Sequence, residues 1–186
     1  MDVAPWHLRA AVDALAGGGI VACPTEAVWG LSCAPTDERA LKRLLALKQR
    51  DWRKGLILVA AELDQLADFV ELPSNNALKR ATATWPGPAT WVFPAQYELP
   101  LLLTGDQDTI AVRVSAHPVV RALCTRYGGP LVSTSANPSG REPARSATQV
   151  RLYFKDRVDA IVPGALGGLA KPTTIRDVTT GHILRR

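Results

Sequence analysis

Apolar residues recur at roughly helical spacing over residues 6–16, where Trp6, Ala10, Val12 and Leu15 predict a first helix. Gly17-Gly18-Gly19 stops it, and Ile20-Val21-Ala22-Cys23 follows as a short buried strand. Thr36 or Asp37 can cap a second helix that carries Leu41, Leu44 and Leu45 along one stripe. Residues 55–60 (Gly-Leu-Ile-Leu-Val-Ala) read as a strand apolar on both faces. Helical patterns cover 63–70, 74–84, 117–127 and 146–154, and strands are predicted at 90–94, 109–115, 131–135, 159–163, 173–178 and 182–185. Apolar strands alternating with amphipathic helices imply a sheet covered on both faces. The closing strands have no helix between them, which predicts a mixed parallel and antiparallel sheet. The expected fold class is α/β. With 186 residues and no repeat, linker or low-complexity tract, a single domain over 1–186 is expected.

Composition narrows the class of protein. At 47% hydrophobic and 21% charged, the chain has enough apolar residues to offset the entropy of ordering. No apolar run approaches the roughly 18 residues needed to span a bilayer. The start, MDVAPWHLRA, lacks the basic, apolar and small-residue blocks of a secretory signal, so a cytoplasmic protein with no membrane partner is expected. Cys23, Cys33 and Cys124 are odd in number and widely spaced, which fits a reducing compartment.

Charge changes the picture more. The 22 Lys and Arg against 17 Asp and Glu give +5. Between Arg39 and Lys54 lie seven cations (Arg39, Lys42, Arg43, Lys48, Arg50, Arg53, Lys54) and only Asp51 against them, so this window alone carries +6. Such a patch points to an anionic partner, whether nucleotide, polyphosphate or RNA; a solvated helix face is the plain alternative.

Several chemistries fall away. Gly17-Gly18-Gly19 precedes a strand, whereas a phosphate-binding loop follows one and opens a helix. His7, His117 and His182 lie far apart, and no Cys/His pair has zinc-ligand spacing. His117, just before Pro118 at a helix start, reads as a capping or surface residue, and Cys23 as an inert buried thiol. There is no nucleophile elbow. No metal site from protein residues is expected.

What remains is a set of polar groups at strand ends, where open α/β sheets bind ligands. Pro24-Thr25-Glu26 follows the first strand, with Gly30 a few residues on. Lys48 falls on the core stripe of the second helix, so it must snorkel out or meet an anion, and Arg50, Arg53 and Lys54 crowd the loop after it. Together these cations can clamp a triphosphate. Arg113 is the only charge in Thr109–Ser115 and shares a face with Thr109 and Ala111; its partner is a carboxylate or phosphate from the protein or from a ligand. The run 133–140 (Ser-Thr-Ser-Ala-Asn-Pro-Ser-Gly) ends an apolar strand with a density of hydroxyls that favours a ligand loop over a plain turn.

These residues carry a family resemblance. PTEAVWGL (24–31), LKQR (47–50), KGLIL (54–58), WPGPAT (85–90), AVRV (111–114), STSANPSG (133–140) and TTIRD (173–177) occur in the order of the YrdC/TsaC family, and the chain resembles its short stand-alone form over essentially its whole length. The resemblance implies a YrdC-like domain with a twisted mixed sheet and a basic concave cavity. It implies a nucleotidyltransferase that joins L-threonine, bicarbonate and ATP into threonylcarbamoyl-adenylate and pyrophosphate. Partner transferases then pass the group to the adenosine beside the anticodon of tRNA. Mg2+ would arrive with ATP, and no organic cofactor is implied. Carried over by motif, Lys48 and Arg50 are the catalytic pair and hold ATP phosphates with Lys54, Ser135 and Asn137, while Thr109 and Arg185 lie near the nucleotide. Thr25, Arg113, Ser133 and Thr173 form the threonine subsite, Arg113 taking the carboxylate. Lys54 stands where longer relatives commonly have Asn, and Val59 where they carry a His near threonine.

The rival from another class is an RNA-binding ribosome-assembly factor without catalysis, whose cavity grips a phosphate backbone. Its binding would weaken steeply with salt, whereas a closed nucleotide pocket would be less sensitive.

Overall fold

A computed structural model describes residues 3–170 and 173–185. Six α-helices and nine strands are seen among them. In chain order these are α1 (Pro5–Ala16), β1 (Val21–Pro24), β2 (Trp29–Ser32), α2 (Glu38–Lys48), β3 (Ile57–Ala60), α3 (Asn75–Thr82), β4 (Ala89–Pro94) and α4 (Leu101–Thr104). They continue as β5 (Thr109–Val114), α5 (Pro118–Tyr127), β6 (Leu131–Ser135), α6 (Ala147–Phe154), β7 (Ala160–Ile161), β8 (Thr174–Asp177) and β9 (Ile183–Arg185).

The strands form one mixed sheet in the order β7-β1-β2-β6-β3-β5-β4-β8-β9. The pairs β1/β7, β3/β5 and β4/β8 are parallel and the rest antiparallel, as expected for an α/β sheet whose last strands follow each other without a helix. The local signals operate where the sequence places them. Gly17 closes α1, and the Asp37 carboxylate caps α2 by accepting from the backbone N–H groups of Arg39 (2.8 Å) and Ala40 (3.1 Å). Helix α2 stops because Gln49 adopts the left-handed conformation (φ 52°).

Three segments depart from the sequence reading. Strand β2 was not foreseen: it lies between β1 and β6 with all four residues buried, so it shows no alternation, and Gly30 and Ser32 interrupt its apolar character. The helix expected at 63–70 is only a 3-10 turn over Leu63–Leu66. The Gln65 side chain accepts from the N–H of Ala61 (2.8 Å) and donates to the carbonyl of Cys124 (3.2 Å), and the chain then leaves to pair Val70 with Ala95. Helix α4 is a single turn, too short for a period to register.

Two apolar cores flank the sheet. Helices α1 and α5 cover Val21, Cys23, Val59 and Leu131 on one face; α2 and α6 cover Leu31, Leu58, Val112 and Val132 on the other. Each fully buried Leu or Val contributes roughly 1.5–3 kcal/mol. The first face matters for function because α5 covers only part of it. Along β6, Leu131 lies beneath the helix, while Ser133 and Ser135, two and four residues on and thus on the same face, do not. Along β3, Val59 is covered and Ile57 is not. The change from aliphatic to hydroxyl along one strand face marks where the core ends and a cavity begins.

Candidate active site

The uncovered part of that face is the floor of a cavity of about 360 Å³. Its walls are Thr25 and residues 27–30, Arg50, the start of β3 and the residue before it (Leu56, Ile57), Thr90, Arg113, the end of β6 (Ser133, Thr134, Ser135), Pro143, Thr173 and Arg185. The volume falls in the range of small-molecule sites. Of the eleven residues predicted from the sequence, the structure brings seven to this lining: Thr25, Arg50, Arg113, Ser133, Ser135, Thr173 and Arg185. Lys48, Lys54, Thr109 and Asn137 are not in it.

Lys48 is only 4% exposed, at the end of the α2 stripe. It neither snorkels nor meets an anion: Nζ donates to the backbone carbonyls of Ser135 and, at 2.9 Å, Asn137. The Lys48 carbonyl in turn accepts from the N–H of Ser139 (2.8 Å). One residue thus stitches the end of α2 to the hydroxyl loop at three points. The Asn137 amide braces the same loop from inside, donating to the carbonyls of Pro138 (3.1 Å) and Arg141 (2.6 Å). Burial, and then the nearby Arg50 guanidinium, push the Lys48 ammonium down to about 8 from 10.5.

This shift has a testable sign. Between pH 8 and 10.5 the unfolded chain keeps the Lys48 proton and the folded chain has lost it, so this residue's contribution to stability rises with pH, by on the order of 3 kcal/mol across the window. Burial pushes the thiols of Cys23, Cys33 and Cys124 up to about 12 from 9.0, which lowers stability above pH 9. The Lys48 effect is therefore read as a difference. The stability of the wild type minus that of Lys48→Met, from denaturant melts at pH 7.5 to 10.5, is expected to climb; a flat difference would contradict the buried placement.

Arg50 follows the left-handed Gln49, and that turn aims it into the cavity. It donates to the carbonyl of Gly55 (2.9 Å), and its Nε is buried with no hydrogen-bond partner. Burial and the neighbouring Arg185 both lower its pKa. Two guanidiniums therefore line one wall. Arg53, expected to join the clamp, instead lies 3.5 Å from both Asp51 and Asp106 and stacks on Trp52, and Lys54 is exposed outside the cavity. Thr109 shares the Arg113 face but sits at the far end of β5, beyond Ala111. Gly55 is required by its backbone: φ is +59°, and a Cβ would stand 2.7 Å from the Thr104 carbonyl oxygen. Gly55→Ala is expected to cost roughly 1–3 kcal/mol and shift the carbonyl that holds Arg50, lowering both the melting temperature and turnover.

Arg113 answers the either-or posed by its sequence. It is 7% exposed, and its Nη1 lies 3.2 Å from Oε2 of Glu26, which is 6% exposed; the guanidinium still lines the cavity. Burial lowers its pKa, with Glu26 acting against that. The hydroxyl residues Thr25, Ser133 and Thr173 line the same cavity, the last with its hydroxyl paired with that of Thr90 at 3.0 Å. Thr90, 0% exposed, was missed as a site residue; its signal was a lone hydroxyl at the head of an apolar strand. Trp29, Leu56, Ile57 and Pro143 were missed too, because apolar lining looks like core in a sequence. His117 is corrected: it precedes α5 but makes no capping bond and is buried, with Nε2 3.1 Å from the Ala165 carbonyl oxygen. Cys23 is buried, as expected.

Three arginines (Arg50, Arg113 and Arg185) and a set of hydroxyl residues thus line one cavity of small-molecule size on a half-covered α/β sheet. The chain belongs to the Sua5/YciO/YrdC family, whose model, described as telomere recombination, matches residues 13–186. It is 57% identical over 183 residues to a protein of Halorhodospira halophila named threonylcarbamoyl-AMP synthase, covering 98% of this chain and 95% of that one. A protein of the same name from Hahella chejuensis is 50% identical, covering 97% and 98%. Among solved structures, P. abyssi Sua5 complexed with L-threonine superposes with a TM-score of 0.91 at 32% identity, and E. coli YciO with 0.84 at 28%. The match covers 98% of this chain but 54% of the Sua5 chain, and 96% and 88% for YciO. Among the described residues, no helix is long and apolar enough to cross a membrane.

Proposed function

We propose that this chain synthesises threonylcarbamoyl-AMP from L-threonine, bicarbonate and ATP, releasing pyrophosphate. The observation that carries the reading is one cavity lined by Arg113, by Arg50 with Arg185 near it, and by the hydroxyl residues Thr25, Ser133, Ser135 and Thr173. Several cations beside hydroxyls in one cavity suit a reaction between an amino acid and a nucleotide, and the whole-length relatives bear the product's name.

The amino acid's carboxylate binds Arg113, with Thr25, Ser133 and Thr173 about its polar groups. Its amine combines with bicarbonate to give a carbamate and water. A carbamate oxygen then attacks the α-phosphorus of ATP, the α–β phosphoanhydride bond breaks, and pyrophosphate leaves. Arg50, Arg185 and the Ser135 end of the hydroxyl loop hold the phosphates, and Lys48 and Asn137 keep that loop in place. Mg2+ carried by ATP supplies further charge neutralisation. No protein nucleophile takes part: catalysis is alignment of two reactants plus cationic stabilisation of the charge moving onto the leaving group. We assign this chemistry to the nucleotidyltransferase class and to the cytoplasm, with Lys54 and Thr109 at the outer edge of the nucleotide. Transferases that modify tRNA consume the product.

Isotope incorporation tests the reading. With 13C-bicarbonate, L-threonine and ATP, mass spectrometry should show an adenylate one mass unit heavier than with unlabelled bicarbonate. An unlabelled adenylate would mean that the acyl group comes from elsewhere.

A further inference from the structure

Among the described residues, Glu26 is the carboxylate that pairs with Arg113 of the proposed amino-acid subsite, yet it does not line the cavity. It stands behind Arg113, and four features hold it there. Its Oε1 accepts a hydrogen bond from the Ser115 hydroxyl at 2.6 Å, and Ser115 Oγ accepts from the backbone N–H of His117 at 3.1 Å. The irregular stretch 162–170 is tied to the turn after β1, with Gly167 N–H donating to the Thr25 carbonyl (3.0 Å) and Leu169 N–H to the Glu26 carbonyl (2.9 Å). His117 ties this strap down through the Ala165 carbonyl. Gly167 packs so closely that a Cβ there would stand 2.9 Å from Glu26 Cα.

The Ser115 bond on the carboxylate and the strap on the backbone together hold one residue more firmly than neutralising a buried charge requires. The contact they produce is also incomplete. Oε2 of Glu26 and Nε of Arg113 are both buried without a hydrogen-bond partner, although Nη1 and Oε2 are 3.2 Å apart. The pair therefore fixes where the guanidinium sits without using it up in a bidentate fork, which would leave less of it for a ligand. We infer that Glu26, held by Ser115 and by the 162–170 strap, is a positioning residue that sets the orientation in which Arg113 meets the carboxylate of the amino-acid substrate. This rests on the reading of Arg113 given above.

The test separates the two. L-Threonine affinity, by calorimetry, and the KM values for threonine and ATP are measured for Glu26→Gln, Glu26→Asp, Ser115→Ala and Arg113→Lys. Glu26→Asp keeps the charge but withdraws it by one methylene; Ser115→Ala leaves the ion pair and removes its brace, so it serves where the Glu26 variants do not fold. Expected are a threonine KM raised at least tenfold in the Glu26 variants and severalfold in Ser115→Ala, with the ATP KM within twofold of wild type. A general structural defect would move both KM values together and overturn the positioning role. So would tighter threonine binding by Glu26→Gln, which would make the carboxylate a competitor for Arg113. Wild-type threonine affinity in folded Glu26 and Ser115 variants, with Arg113→Lys impaired, overturns the positioning role and leaves the Arg113 reading standing. If Arg113→Lys also binds threonine normally, both fall.

Discussion

Arg113→Ala is expected to abolish measurable synthesis and to lower stability by about 3–5 kcal/mol, because it leaves the Glu26 carboxylate buried without its counter-charge. In a chain of this size such a loss moves the melting temperature down by roughly 6–20 °C, a large part of the 5–15 kcal/mol that holds a typical domain. Loss of activity would then be open to the trivial explanation of unfolding. The double variant Arg113→Met with Glu26→Gln removes both charges while Gln can keep a bond to Ser115. It is expected to recover most of the stability and none of the turnover. Calorimetric melts with pyrophosphate release check both halves. Turnover that returns with stability would mean that the pair serves only the fold.

The second large effect is at the nucleotide end. Arg50→Ala should reduce kcat by about 10²–10³ with little loss of stability, since it removes a donor aimed at developing negative charge and creates no buried unpaired acid. Lys48→Ala should be as damaging by a different route. Its ammonium is bonded to the Ser135 and Asn137 carbonyls, so the alanine variant frees the loop instead of deleting a phosphate ligand. The two are told apart by proteolysis of the 133–141 segment, faster than wild type in Lys48→Ala and unchanged in Arg50→Ala. Equal protection in both would mean that Lys48 does not anchor the loop.

How much of this was legible beforehand depended on the kind of signal. Elements bounded by caps and glycines were read well, because Asp37, Gly17 and Pro118 act locally. Strand β2 was not, because a four-residue strand buried between two neighbours has no alternation to read. At the site, Thr25, Arg50, Arg113, Ser133 and Ser135 stood out as charged or hydroxyl residues at the ends of apolar elements, and they meet in one cavity with Thr173 and Arg185, which only the family resemblance pointed to. The partner of Arg113 could not be named from spacing: Glu26 is distant in sequence and follows β1, which three strands separate from β5 in the sheet. The placement of Lys48 on the core stripe was right, but spacing could not show that its partners would be backbone carbonyls, which any residue can supply. Arg53 and Lys54 looked equivalent to Arg50 as charges. The left-handed Gln49 and the Asp51 and Asp106 carboxylates separate them, sending only Arg50 inward.

The measurement that goes most directly to the central claim is pyrophosphate release from ATP by the purified chain, with L-threonine and bicarbonate omitted in turn. The proposed synthesis predicts release only when both are present. Release that persists without threonine, or none from a folded chain that instead binds RNA in a steeply salt-dependent way, would contradict it.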